Sequence, residues 1–435
     1  MSPPPRRILL VDADAFFVAV ARQVDPEGAG RATLLIVGGS AQSRGVVCSA
    51  SYEVRKFGVR SGMPISRAVR LCPSAMCVPV PRGACTERSR AIAAVLARFT
   101  PVVQASSIDE WYLDLGGTEA LYDEPLAETA RRIREAVHAA TGLSVSIGCG
   151  TSKLVAKVAV EVAKPGAGGD GVHAVPPGTE EAFMRRFALG DLPFVGPRLV
   201  EKLARNGLRT VPDALRWDEA ALVGLLGART GRWLHAWVRG VDERPVAERA
   251  EQKSVSREDT FPRDLHTEAE LERELLRLSE KVAADLRGDG LRARTITVKV
   301  RDADFVTRQA ARTLDAAVES DRAVAAVARE LLRRLRKTRR VGVRLLGVTL
   351  SGFGDAAAPA QLALFGAGGA PGRGDAPAPP VETERDRRLA HTLDAIRGRF
   401  GRDVIGPAAL QERPARDPGG SRPAVPRVPR ADGAE

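Results

Sequence analysis

Three carboxylates, Asp12, Asp109 and Glu110, are the residues of this chain whose type and placement first suggest chemistry. Asp12 follows the apolar run Ile8–Val11, which has strand character, with Asp14 two residues on. Asp109 and Glu110 sit in the stretch Ile108–Leu115, which alternates apolar and polar residues and continues as a strand. Two strand-borne acidic sites brought together in a sheet can hold one or two Mg²⁺ ions through oxygen ligands. Two such ions about 3.5–4 Å apart clamp the attacking and leaving oxygens of an in-line phosphoryl displacement. Neighbours on a regular strand point to opposite faces, so using both Asp109 and Glu110 requires a strand end or a local twist. The alternative is that each acid is a solvated strand-edge residue.

Other groups could serve the same chemistry. Phe16 and Phe17 follow Asp12 by one helical turn in a chain with only 4% aromatic residues, and one of them could lie under a sugar ring. Tyr52, Arg55 and Lys164 supply a hydroxyl, a planar bidentate donor and a compact point charge, all suited to phosphate. Pro193–Gly196, in the tight turn Leu192–Pro197, would present backbone N–H groups at a helix start. Thr295, Thr297, Lys299 and Arg301 alternate with apolar residues, giving one polar, cationic strand face that could lie along a nucleic-acid backbone. Between Asp321 and Arg344, nine basic residues (Arg322, Arg329, Arg333, Arg334, Arg336, Lys337, Arg339, Arg340 and Arg344) stand against two acids, a balance as consistent with phosphate contact as with the usual solvated helix face. Gln361-Leu362-Ala363-Leu364-Phe365 is an apolar island in an Ala/Gly/Pro-rich stretch and reads as a docking peptide.

The elements that must position these groups follow from hydrophobic period and punctuation. Strands are expected at Ile8–Val11, Thr33–Val37, Gly45–Ala50, Ile108–Leu115 and Ser144–Gly148, and helices at Pro64–Cys72, Thr86–Phe99, Leu126–Thr141 and Ser152–Ala163. That order implies an α+β sheet domain. Residues 180–244 read as mostly helical, and the polar stretch Arg244–Ser256 reads as a connection. Helix Glu268–Leu286, strands Thr295–Arg301 and Val306–Thr313, helix Asp321–Arg336 and strand Arg344–Ser351 suggest a separate βαββαβ-type domain. Beyond Gly354 the composition is that of a flexible tail, in which Arg385–Phe400 could form a short helix.

Composition narrows the classes. The 435 residues carry a net charge of +12 and a pI near 10.0, which favours an anionic partner. Five scattered cysteines without a C-x-x-C pair disfavour a disulfide scaffold and a zinc module. With no apolar run approaching the ~18–20 residues of a membrane span, a soluble, cytoplasmic protein without membrane association is expected.

Taken together, the segments resemble the Y-family DNA polymerases. The resemblance rests on Val11-Asp12-Ala13-Asp14-Ala15-Phe16-Phe17, on Ser51–Val59, on Ser107-Ile108-Asp109-Glu110 with Tyr112-Leu113-Asp114, and on Lys153–Lys157 followed by Ala163-Lys164-Pro165. It implies an α+β multidomain right-hand architecture: palm 1–20 and 78–175, fingers 21–77, thumb 176–245 with a helix-hairpin-helix, little finger 250–354, and a flexible tail 355–435. It also implies that Asp12, Asp109 and Glu110 are catalytic, and that with the Ala13 carbonyl they bind two Mg²⁺ ions. Phe17 takes the steric-gate position, and Ser49, Tyr52, Arg55 and Lys164, with backbone N–H groups near Ala15 and Phe16, hold the incoming triphosphate. Pro193, Val195 and Gly196 would grip the primer backbone. Gln361, Leu362, Leu364 and Phe365 match the peptide with which bacterial polymerases dock on the sliding clamp (beta subunit). Trp111, Thr151-Ser152 and Phe194 depart from the usual pattern, where a small residue, Ser-Asn and Gly are more typical.

The expected function is error-prone translesion synthesis by a monomeric bacterial enzyme that binds primer-template DNA and dNTPs and lacks proofreading. The alternatives are a non-catalytic adaptor that binds DNA and the clamp, marked by loss of the carboxylates, and a nucleotidyl cyclase, which would explain neither the hairpin turn nor the basic last domain.

Overall fold

The structure, a computed structural model, describes residues 5–40, 44–247, 252–354, 381–401 and 404–410. It divides into two compact units, residues 1–252 and 253–435.

The first unit runs β1 (Ile8–Ala13), α1 (Phe16–Val24), β2 (Leu35–Gly38), β3 (Val47–Ala50), α2 (Tyr52–Arg55), α3 (Ile65–Leu71), β4 (Met76–Val78), α4 (Arg82–Leu96), β5 (Val103–Ala105), β6 (Glu110–Asp114), α5 (Leu126–Thr141), β7 (Val145–Gly150), α6 (Lys153–Ala163) and β8 (Val172–Ala174). Five short helices follow: α7 (Glu180–Met184), α8 (Pro197–Ala204), α9 (Val211–Leu215), α10 (Glu219–Leu226) and α11 (Ala228–Trp237). The main sheet has the order β5-β6-β1-β7-β8, and a small sheet has the order β3-β2-β4.

β1 is buried along its whole length because it is the central strand with helices on both faces. Leu9 and Val11 join a cluster with Ile92 and Leu96 of α4 and Ile133 and Val137 of α5. Ile8 and Leu10 pack on the other face against Ala156 and Val160 of α6. Gly148 of β7 permits the close approach of α6: a Cβ there would meet the Ala156 carbonyl oxygen at 2.2 Å. Ser152 caps α6, its hydroxyl accepting from the Val155 N–H.

The second unit is β9 (Ser254–Leu265), α12 (Glu268–Gly288), β10 (Arg292–Asp302), β11 (Thr307–Val318), α13 (Asp321–Thr338), β12 (Val343–Gly354) and α14 (Glu384–Phe400). The sheet order β11-β10-β12-β9 is antiparallel throughout, and Leu275, Val282, Val324 and Leu331 of the helices share its core with Ile296, Val298 and Leu346. The βαββαβ expectation holds in element order. The connection expected at Arg244–Ser256 is shorter, because β9 begins at Ser254 and pairs with β12.

Residues 381–401 do not behave as the expected flexible tail. Helix α14 is held on the second unit by ion pairs, with Arg287 joining Asp321 at 2.8 Å and Asp394 at 2.6 Å, and Arg397 joining Glu280 at 3.0 Å. The Glu382 carboxylate accepts from the N–H groups of Glu319 and Ser320 at the start of α13. The docking peptide 361–365 lies outside the described residues.

Candidate active site

Asp12 lies near the end of β1 and is the cross-strand partner of Glu110, the first residue of β6. Directly opposed residues of an antiparallel pair share a face. Asp12 has the parity of Ile8 and Leu10, so both carboxylates are on the side of α6. Asp109 falls just before β6, where its carbonyl accepts from the Ala13 N–H at 2.9 Å and its carboxylate accepts from the Ser107 hydroxyl. The strand end required by two adjacent acids is therefore present.

Helix α6 and the residue after it answer these acids with cations. The Lys164 ammonium is 2.9 Å from Asp12 and 2.8 Å from Glu161, and the Lys157 ammonium pairs with Glu110. Burial is the dominant influence on Asp12 and pushes its pKa up to about 7 against the pull of Lys164. Burial also works against the charge of Lys164, but the Asp12 and Glu161 carboxylates outweigh it and raise that pKa. Among the described residues, no three His, Cys, Asp or Glu side chains are gathered into a ready-made metal cage. The donor set is nevertheless all hard oxygen, and a buried carboxylate with a raised pKa is one that a divalent cation would favour in ionised form.

The turn from β1 into α1 places Ala15 in the left-handed region (φ 44°, ψ 44°), a conformation costly for a residue with a Cβ. It directs the first residues of α1, Phe16 and Phe17, whose N–H groups have no intrahelical acceptor, toward the site. Phe16 is buried and Phe17 half-buried, with their rings edge-to-face at 5.5 Å. Tyr52 is held by the Arg55 guanidinium, 4.8 Å from the ring centre, and by Gly166, where a Cβ would meet the ring at 2.7 Å.

One cavity of about 970 Å³ is lined by Asp12, Ala13, Ala15, Phe16, Phe17, Ser49, Tyr52, Arg55, Asp109, Glu110 and Lys164 together. Every residue expected at the metal and nucleotide positions is therefore on one wall or another of a single space. Lys56, Arg60 and Ser61 line it too and were not anticipated; the run Arg55-Lys56 followed by Arg60 was the available signal.

The expected DNA contacts fare unevenly. Pro193 has no N–H, and the Val195 N–H is spent on the Leu192 carbonyl at 3.2 Å, so of that turn's amides only those of Phe194 and Gly196 remain for a phosphate. Phe194 is left-handed (φ 64°), exposed, and edge-on to Trp237. Thr295, Thr297, Lys299 and Arg301 lie on β10, but Lys299 is paired with Glu258 at 2.5 Å. Much of the basic excess of α13 is internal: Arg329 and Arg333 pair with Glu272, Arg336 with Glu268, Arg322 with Asp386, and Arg339 with Asp302 and Asp304. Arg322 and Arg333 nevertheless remain largely exposed, so part of this charge is shared between internal ion pairs and the surface.

Trp111 is 1% exposed in the core behind β1, opposite Val11. Thr151 donates to Glu180, and Ser152 to the Gly240 carbonyl. Among the described residues no helix is long and apolar enough to cross a membrane.

Known proteins resemble this chain along most of its length. The model of the impB/mucB/samB family matches residues 11–161, and that of its C-terminal domain matches residues 252–364. The DNA polymerase IV of Desulfatibacillum aliphaticivorans is 37% identical over 403 residues, covering 93% of this chain and 96% of that one. That of Streptomyces coelicolor is 40% identical over 353 residues, covering 80% and 71%. A solved Y-family DNA polymerase chimera superposes with a TM-score of 0.70 at 26% identity, covering 80% of this chain and 98% of the other. A Dbh DNA polymerase in an insertion ternary complex gives 0.57 at 25% identity, covering 79% and 98%. The chain belongs to the impB/mucB/samB family, the Y-family DNA polymerases that include bacterial DNA polymerase IV.

Proposed function

We infer that the protein is a template-directed DNA polymerase of the translesion type, which adds dNTPs to a primer 3′-OH. The observation that carries this reading is the single cavity on which the three carboxylates, Phe17 and the cations Arg55 and Lys164 converge. The adaptor alternative needs the carboxylates to be lost, and all three line the cavity. Y-family polymerases use divalent metal ions; here Asp12, Asp109 and Glu110, with the Ala13 carbonyl, would hold two Mg²⁺. Such ions, when bound, polarise the reacting phosphate and lower the pKa of the attacking hydroxyl.

The chain's own residues bind and orient. The Tyr52 hydroxyl, Arg55 guanidinium and Lys164 ammonium donate to triphosphate oxygens, with the Ser49 hydroxyl and the amides of the Ala15–Phe17 turn adding shorter-range donors. Lys164 is shared with Asp12, so the group that meets the triphosphate also neutralises a carboxylate. Phe17 fills the space a ribose 2′-OH would need. Catalysis in this arrangement is positioning and charge stabilisation.

Residues 1–20 and 78–175 serve as palm, 21–77 as fingers, 176–245 as thumb and 250–354 as little finger. The five-stranded sheet carrying the carboxylates and the separate β10-bearing sheet support that division. Primer-template DNA is gripped at Gly196 and along Thr295, Thr297 and Arg301. The protein acts as a cytoplasmic monomer, and Gln361–Phe365 docks it on the sliding clamp. Deleting that peptide should weaken clamp binding and leave DNA binding intact. The test of the main reading is single-nucleotide insertion with each dNTP offered separately: insertion should follow the template base, and insertion blind to the template contradicts it.

A further inference from the structure

We propose that Lys157 is a positioning residue of the metal site, fixing the Glu110 carboxylate and moderating its charge. This rests on the polymerase reading and deepens it. The Lys157 ammonium donates to Glu110 Oε1, and the two side chains are only 24% and 23% exposed, so the pair is partly withdrawn from solvent. Glu110 lines the cavity and Lys157 does not. Lys157 therefore touches the site through the Glu110 carboxylate it holds, and its charge is also felt by Asp12.

The other lysines of the same helical stretch separate the roles. Lys164, two turns on, lines the cavity and lies 2.9 Å from Asp12, within reach of a triphosphate. Lys153, one turn back, spends its ammonium on Gln104 at 2.6 Å and on the Tyr112 ring at 4.6 Å. Between them, Lys157 is committed to a carboxylate alone. An ammonium on Oε1 orients the group so that Oε2 is the oxygen left for a cation, as partners behind a ligand do at metal sites generally. It also cancels part of the negative charge that would attract a divalent ion, and does so more strongly at half-burial than at the surface.

These two effects act in opposite directions and give the proposal its signature. Losing the ammonium should tighten cation binding, because the site becomes more negative, and slow the reaction, because the carboxylate loses its fixed orientation. The experiment compares full-length wild type, Lys157→Met and Lys157→Arg by Mn²⁺ titration followed by electron paramagnetic resonance, and by single-turnover dNTP insertion. Lys157→Met should bind Mn²⁺ about fivefold more tightly and insert about tenfold more slowly at saturating metal, with dNTP affinity within about twofold of wild type, as expected for a group that acts through a ligand. Lys157→Arg should stay near wild type in both.

Unchanged or weaker Mn²⁺ binding by Lys157→Met overturns the proposal, as does a loss confined to dNTP affinity. Circular dichroism checks folding; if the Met variant does not fold, Lys157→Gln takes its place under the same criteria. In a Glu110→Gln background the Lys157 substitution should change Mn²⁺ binding less than it does in the wild-type background, and a fully additive effect also overturns the proposal. The titration requires no synthesis, so a wild type that binds Mn²⁺ but inserts nothing would contradict the polymerase reading and leave the Lys157 comparison standing.

Discussion

Asp12 stands directly across the β1–β6 ladder from Glu110, and each of the two carboxylates meets a lysine from the same helical stretch, Lys164 and Lys157 respectively. Like charges directly opposed on one face of a sheet repel. The geometry offsets that repulsion locally and keeps both acids on the face where Phe17, Tyr52 and Arg55 converge.

Burial of Asp12 has a measurable cost. Its pKa in the folded chain is about 7, above the ordinary carboxylate value, so the fold favours the protonated form. The stability tied to that protonation is complete below the unfolded pKa of about 4 and is lost as pH rises through about 7. Asp12→Asn, measured in EDTA, should therefore gain stability relative to wild type as pH rises from 5 to 8, by about 1–2 kcal/mol. A difference that does not move in favour of the Asn variant over that range contradicts this account of the carboxylate.

Phe17 is half-buried, braced edge-on by Phe16, and lines the cavity. Phe17→Ala should raise incorporation of ribonucleotides relative to deoxyribonucleotides by about a hundredfold, equivalent to about 2.7 kcal/mol of lost discrimination. Competition assays with matched rNTP and dNTP read this directly, and unchanged selectivity would remove Phe17 from the gate.

Arg301 donates to the Thr307 hydroxyl and has no carboxylate partner among the described residues, whereas Lys299 on the same strand is paired with Glu258. Arg301→Gln should flatten the dependence of DNA affinity on salt concentration by about one unit of slope. A slope equal to that of wild type would mean that Arg301 does not meet a phosphate.

The docking of α14 predicts a contribution from the end of the chain to the second unit. Arg287 has a side chain only 2% exposed and depends on Asp321 and Asp394. Asp394→Ala should cost about 1–2 kcal/mol, below the 3–5 kcal/mol typical of a buried charge stripped of its partner, because Asp321 remains. Ending the chain at residue 380 should accelerate hydrogen exchange in α12 and α13; unchanged protection would show that α14 adds nothing to their stability.

How far the chain could be read in advance depended on how local each signal is. Helix α5 falls on Leu126–Thr141 as expected, since its apolar period and terminal Gly142 are both local. Asp12, Asp109, Glu110, Phe17, Tyr52, Arg55 and Lys164 were legible as residue types suited to a phosphate site and through the family resemblance, and they line one cavity. That Asp12 faces Glu110, and that Lys157 stands behind it, depends on strand pairing between residues about 100 positions apart, which no local pattern encodes. Strand β9 escaped because Ser254–Leu265 is mostly exposed and polar or charged, with only Val255, Phe261 and Leu265 buried. The ion pairs of α13 were hidden for a related reason: the carboxylate partners Glu268 and Glu272 lie on α12, so the local balance of charge is visible only once the helices pack.

The most direct test of the account is primer extension on an undamaged template with dNTPs and Mg²⁺, comparing wild type with the double variant Asp109→Ala/Glu110→Ala, with primer-template binding measured on both. The account predicts extension by wild type alone, at equal DNA binding. Extension by both proteins, or by neither while both bind DNA, would contradict it.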